Sequence, residues 1–208
     1  VHVCDRGADT FEFLEQLVGA GRSFVIRSKS NRRRVGGEGA GAKLHDHLRT
    51  FPARAGWWGQ AREGAGRSRP VKLQGCWATG TVPAPRGRGT VTVPVVRVWE
   101  VEIPAGDTGV EWFLRTDRAV GDIASMRQVV SIYQRRPIIE EYHKALKTGC
   151  GVENLPHRTR AVLATAVGIT SVLAVALLEL RDLARDPGRQ DDPAAGAVGG
   201  RAVRVLST

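Results

Sequence analysis

Apolar positions along this chain alternate in some stretches and recur at helical spacing in others. Val1-His2-Val3-Cys4 alternates and predicts a short strand ending at Asp5. Arg6-Gly7 then turns the chain. Asp9 stands where a helix N-cap belongs, with Glu12 at the capping-box spacing. Phe11, Leu14 and Val18 follow at helical intervals, and Gly19 occupies a C-terminal glycine position. Phe24 to Arg27 predicts a second strand, so the chain opens as strand, helix, strand.

From about Asn31 to Arg69 the pattern breaks into Gly and Arg, and only Lys43 to Arg49 suggests a short helix; the rest predicts loop. Val71 to Thr79, Thr90 to Ile103 and Val110 to Thr116 then predict strands of a small antiparallel β insertion, separated by turns such as Pro83-Ala84-Pro85-Arg86-Gly87. Helical spacing returns at Asp122 to Tyr133, at Pro137 to Lys147, and over a long apolar stretch from Thr159 to Asp186. Pro137 suits a first helical turn, whose N–H has no partner anyway. Gly149-Cys150-Gly151 marks its end. The boundaries expected are 1–30, 31–117, 118–186 and a Gly/Ala/Asp-rich tail, 187–208, without a core of its own.

Composition narrows the partner rather than the fold. Lys and Arg number 31 against 21 Asp and Glu, a formal net charge of +10. Most of the excess is Arg, which pairs bidentately with phosphate, so a polyanion is the first partner to consider. Hydrophobic residues make up 42%, which excludes wholesale disorder. Cys4, Cys76 and Cys150 lie far apart, without metal-ligand spacing, and suggest reduced thiols rather than a disulfide framework. The first residues carry no signal-peptide pattern. Residue 1 is Val and the only methionine is Met126, as in a fragment, a processed product or an alternative-start product.

The stretch Tyr133-Gln134-Arg135-Arg136-Pro137-Ile138-Ile139-Glu140-Glu141-Tyr142-His143-Lys144-Ala145-Leu146-Lys147 carries the most chemistry. On a continuous α-helix Glu140 and Lys147 project about 20° apart, and Lys144 shares that side. Ile139, Tyr142 and Leu146 form the neighbouring apolar stripe. Such a carboxylate among cations could hold a metal ion and its phosphate. From periodicity alone, an amphipathic helix with i,i+4 ion pairs is the favoured account.

Tyr133, Arg136, Glu140 and Lys147 match the pattern Y-x2-R-x3-E-x6-K. The chain thereby resembles bacterial insertion-sequence transposases of the family-four type, which use a DDE triad and hairpin ends. Val3-Cys4-Asp5-Arg6-Gly7-Ala8-Asp9 is similar to that family's segment around its second catalytic Asp, a strand ending in D-R-x-A-D. Phe24 to Lys29 resembles the strand that follows, and Glu111-Trp112-Phe113-Leu114-Arg115-Thr116 the last strand of the family's β insertion. The resemblance covers about Val1 to Asp186. It implies an α/β fold: an RNase H-like, retroviral-integrase-like catalytic core, incomplete at its N-terminus, with an antiparallel β insertion and C-terminal helices.

The resemblance also assigns roles. Asp5 and Glu140 would be two of three carboxylates that hold Mg²⁺ (or Mn²⁺) for in-line phosphoryl transfer. Tyr133, Arg136 and Lys147 would contact phosphates of the transposon end, and Arg27 and Lys29 would form a basic pair near the cut. Trp112 would stack a flipped-out base. The residues' own chemistry leaves other roles open: Asp5 could cap a turn, Trp112 could be a β-core aromatic, and Arg27 and Lys29 could be solvated strand charges. The implied partners are transposon-end and target DNA, with a dimer in a synaptic complex, in the bacterial cytoplasm at the nucleoid. Cut-and-paste transposition is the implied function, with this chain inactive alone. The alternative is a non-catalytic DNA- or transposase-binding remnant or inhibitor, and an unrelated basic globular or membrane-associated protein is a third possibility.

Two departures stand out. Pro137-Ile138 replaces the Trp-Arg that often follows the signature Arg, and the family's first catalytic Asp, on a strand ahead of Asp5, is not in this chain. Other features carry less. Ala161 to Leu178 lacks charge and reaches the lower limit of a membrane span, but is rich in Ala, Gly, Thr and Ser, so a core helix is expected and no membrane. His45-Asp46-His47 does not share a helix face, which argues against a metal site. Trp57-Trp58 suits loop burial or DNA stacking, and Arg32-Arg33-Arg34 a solvated charge run.

Overall fold

A computed structural model of the chain describes residues 1–29, 41–62, 68–84, 87, 89–155 and 159–184. The Arg32-Arg33-Arg34 run and the tail from Pro187 lie outside the described residues. The chain divides into two compact units, Val1–Arg136 and Pro137–Thr208.

The first unit is built on one mixed sheet. Its strands are β1 (His2–Cys4), β2 (Phe24–Arg27), β3 (Ala55–Arg62), β4 (Ser68–Pro83), β5 (Thr90–Glu100) and β6 (Glu111–Thr116), in the spatial order β1-β2-β6-β5-β4-β3. β1 and β2 run parallel, with Val3 opposite Val25. Parallel neighbours need a crossover, which α1 (Phe11–Gly19) supplies. All other pairs are antiparallel, and β6 joins β2 directly, Leu114 lying opposite Arg27. The expected β strands therefore extend the sheet that the opening strands begin.

Helices cover both faces of this sheet. α3 (Ile123–Gln134) lays Met126, Val129, Val130 and Tyr133 on Val25, Val96, Val98 and Leu114. Its start is fixed by Asp122, whose side chain accepts from the Ser125 N–H at 2.7 Å. On the opposite face α1 packs Phe11, Leu14 and Leu17 against Phe24, Ile26, Val91 and Val93. α2 (Leu44–Arg49) adds Leu44 and Leu48 against Val95 and Phe113. Fully burying one such side chain contributes about 1.5–3 kcal/mol, so these two layers hold the sheet in register.

Three local expectations need correction. The N-cap of α1 is Thr10, which accepts from the Phe13 N–H at 3.3 Å, because Asp9 is drawn into the protein interior. Gly19 is the last residue of that helix; the glycine in the left-handed region is Gly21, at φ 59. Trp57 and Trp58 lie on a strand, β3, which pairs with β4 from Ala55↔Gly75 to Arg62↔Ser68. Trp57 is half-buried and Trp58 is 70% exposed, the alternation of a pleated strand.

The second unit is helical. α4 (Ile138–Lys144) passes into a π-helical turn, Ala145–Gly149, and α5 (Arg160–Ala184) follows. The π turn closes i→i+5 bonds and takes more residues per revolution, so Lys147 leaves the alignment with Glu140 that a continuous α-helix predicts. The expected apolar stripe is also incomplete: Ile139 is 47% exposed, whereas Tyr142 and Leu146 are half-buried. Glu141, beside Glu140, pairs with Arg181 of α5. Arg160–Arg181 is long and apolar enough to cross a membrane by length and composition, and only 6% of its apolar window is buried, so the core helix expected here is not buried within its unit.

Candidate active site

Asp5 follows the last residue of β1 and caps a 3-10 turn, Arg6–Ala8, by accepting from the Arg6 N–H at 2.7 Å. Its other carboxylate oxygen lies 3.4 Å from an Arg136 nitrogen at the end of the first unit. The Asp5 side chain is 46% exposed, so both solvent and a ligand can reach it.

Tyr133, one turn before Arg136 on α3, is buried under the same end of the sheet. Burial pushes its phenol above the usual value; the charge of Arg27 and a hydrogen bond to it act the other way, as does the charge of Arg136. The phenol therefore stays protonated at neutral pH and can donate. Arg27, the last residue of β2, also donates to the Glu111 carbonyl at 3.2 Å, which fixes its guanidinium across the β2–β6 seam. Trp112, on β6, packs edge-to-face on Tyr133 with ring centroids 5.3 Å apart. It is half-buried against the core beneath α3.

Asp5, Arg27, Trp112, Tyr133 and Arg136 are thus brought to one region of the first unit by β1, β2, β6 and α3. Lys29 lies just past β2 with its side chain exposed, and its backbone N–H donates to Asp9 at 2.8 Å. In the second unit Glu140 is exposed in the first turn of α4. Lys147 pairs with Glu153 at 2.7 Å.

Behind this region lies a polar group that the local pattern of the chain does not reveal. Asp9 and Arg115 form an ion pair, 3.3 Å apart, with side chains 1% and 0% exposed. Asp9 also accepts from the Ser28 hydroxyl at 3.2 Å, and His45 Nε2 lies 2.9 Å from that hydroxyl. The His45 ring stacks on Phe113 at 3.8 Å. Its pKa is lowered to about 4, first by burial and then by the charges of Arg49 and Arg115, against the opposing pull of Glu111 and Asp9. His45 is therefore a neutral packing residue at physiological pH. The group joins the turn after β1 to the residue just past β2 and the C-terminal end of β6, segments separate in sequence.

Asp5 and Glu140 offer hard oxygen donors, the type that Mg²⁺ and Mn²⁺ take. Among the described residues no group of three His, Cys, Asp or Glu gathers as a metal site. The donor chemistry of each carboxylate fits such an ion.

The first unit is thus a mixed α/β sheet with a reachable carboxylate at one strand end, in the same region as guanidinium groups and a protonated phenol. The family model of the transposase DDE domain matches residues 1–177, and the chain belongs to that family. Members of the family act on DNA and typically use divalent metals.

Proposed function

We propose that the protein is an insertion-sequence transposase of the family-four type, which cleaves transposon ends and joins them to target DNA by cut-and-paste transposition. The observation that carries this reading is the setting of Asp5: a half-exposed carboxylate at the end of β1, 3.4 Å from Arg136, in a chain that belongs to the transposase DDE domain family. Asp5 and Glu140 are two carboxylates of an RNase H-like site, and by the resemblance the third belongs to a strand ahead of Asp5. When bound, a divalent ion would activate the attacking oxygen and stabilise the leaving one.

The chain's own residues do the positioning. Arg136 beside Asp5 and Arg27 beside Tyr133 bring two positive charges to this region and orient a DNA phosphate there. Tyr133, protonated and buried, donates to a phosphate oxygen and supports Trp112, whose exposed part stacks a displaced base. Lys29 and Lys147 add charge along the DNA backbone. The working form is a dimer bridging two transposon ends at the nucleoid.

The test is cleavage of end-containing DNA with Mg²⁺ or Mn²⁺ by the complete transposase. Asp5→Ala and Glu140→Ala are each expected to abolish nicking and strand transfer while DNA binding persists. Wild-type cleavage in both variants would overturn the assignment. The second reading, a DNA- or transposase-binding protein without catalysis, predicts salt-sensitive binding and no cleavage by any form. We expect the isolated chain to bind without cutting.

A further inference from the structure

Several arginines of the first unit differ in what their guanidinium groups face. Arg49, Arg69, Arg97, Arg115 and Arg136 each face a carboxylate. Arg54 and Arg127 have no carboxylate partner among the described residues, and each lies over an indole instead. The Arg54 guanidinium is 4.4 Å from the centroid of Trp77, and that of Arg127 is 5.7 Å from the centroid of Trp57. Both arginines are exposed, and both indoles are half-buried beside the α3 core.

The backbone fixes this arrangement. Trp57 and Trp77 project from the same face of neighbouring strands, Trp57 opposite Leu73 and Trp77 four residues further along β4. At ~3.3 Å per residue, ~13 Å of strand separates the two indole positions along β4. Between them Gly75 leaves room for the Trp57 ring, which lies 3.1 Å from where a Cβ would be. The Arg54 N–H donates to the Gly75 carbonyl at 2.9 Å, and Arg127 is held by α3.

An indole covers one face of a guanidinium and leaves its planar edge of N–H donors turned to solvent. That edge matches a phosphate bidentately, and the stack fixes it before the ligand arrives. We propose that the Arg54–Trp77 and Arg127–Trp57 pairs form a two-point clamp for the DNA backbone, reading phosphates without regard to sequence. The clamp extends DNA contact along the β3–β4 side of the sheet, away from Asp5. It rests on the reading of the chain as a DNA-acting transposase.

Fluorescence anisotropy of the full chain on a labelled DNA duplex, across a series of salt concentrations, tests it. The R54Q/R127Q double variant is expected to bind about 10- to 100-fold more weakly near 0.1 M salt. Its log Kd against log salt slope should fall by about 2, close to 0.9 for each phosphate released. R54K/R127K keeps the charge and loses the stack and fork, so it should retain the slope and weaken binding only a few-fold. Circular dichroism should show all three proteins equally folded, since both side chains are exposed. If the wild type binds with a steep salt dependence and R54Q/R127Q matches it, the clamp is refuted and the transposase reading stands. If the wild type shows no salt-dependent binding, both fail.

Discussion

Asp5 and Asp9 stand at the two ends of a single 3-10 turn, yet they live in opposite surroundings. Asp5 is 46% exposed and faces solvent beside Arg136; Asp9 is 1% exposed and faces Arg115, Ser28 and the Lys29 N–H. The turn between them, Arg6–Ala8, has one carboxylate to present and one to anchor it. A buried carboxylate is costly unless paired and hydrogen-bonded, and Asp9 is both. What the contrast teaches is that a strand-end carboxylate is held in place from behind. The rigidity of the exposed position comes from the interior one, and Arg115 reaches it from β6, far away in sequence.

Breaking the interior end should have the largest effect on folding. Asp9→Ala leaves Arg115 buried without its counter-charge and is expected to cost about 3–5 kcal/mol in urea unfolding. The double variant Asp9→Leu with Arg115→Leu should recover much of that loss, because neither charge remains to be solvated. A loss below about 1 kcal/mol for Asp9→Ala would remove the contrast altogether.

The next effect is set by His45, which reports on the same interior through Ser28. Its folded-state pKa, about 4, lies below the usual 6.5. The stability it contributes is therefore whole above pH 6.5 and is lost as pH falls toward 4, when the unfolded chain takes up a proton that the folded one refuses. A shift of that size corresponds to at most about 3 kcal/mol. His45→Gln should flatten the stability profile between those pH values; an unchanged profile would show that other groups set it.

The smallest effect on folding belongs to the exposed end. Asp5→Asn removes a partly solvated pair with Arg136 and should shift stability by about 0.5 kcal/mol or less. On the proposed function, the same change is expected to abolish DNA cleavage. A large stability loss there would make Asp5 an anchor like Asp9.

The strands and helices that pack through their own periodicity were legible in the chain: β1, β2, β4, β5, β6 and the helix after Asp122. Asp9 was not, because D-x-x-E spacing to Glu12 imitates a capping box and its true partner, Arg115, is remote in sequence. β3 was hidden by Gly and Trp in a segment rich in Arg, and only its pairing with β4 makes it a strand. The π turn after Lys144 is likewise silent in sequence, since Ala145-Leu146-Lys147 is helical in composition and Gly149 signals only an ordinary helix end. Of the expected site, Asp5, Arg27, Trp112, Tyr133 and Arg136 meet because β1, β2, β6 and α3 end in one region. That convergence depends on strand order, which periodicity does not report.

The pairing of β2 with β6 also has a bearing on how the protein comes to be folded. β3, β4 and β5 are joined by local hairpins that can zip as soon as they are made, whereas Arg27 must wait for Leu114. Closing so long a loop is slow, since its entropy is lost before its contacts form. On a ribosome, the ends of β1 and β2 emerge early and lack their neighbour until β6 has been synthesised. The region around Asp5 is then the last part of the sheet to take shape, and the chain cannot present that carboxylate before most of its length exists.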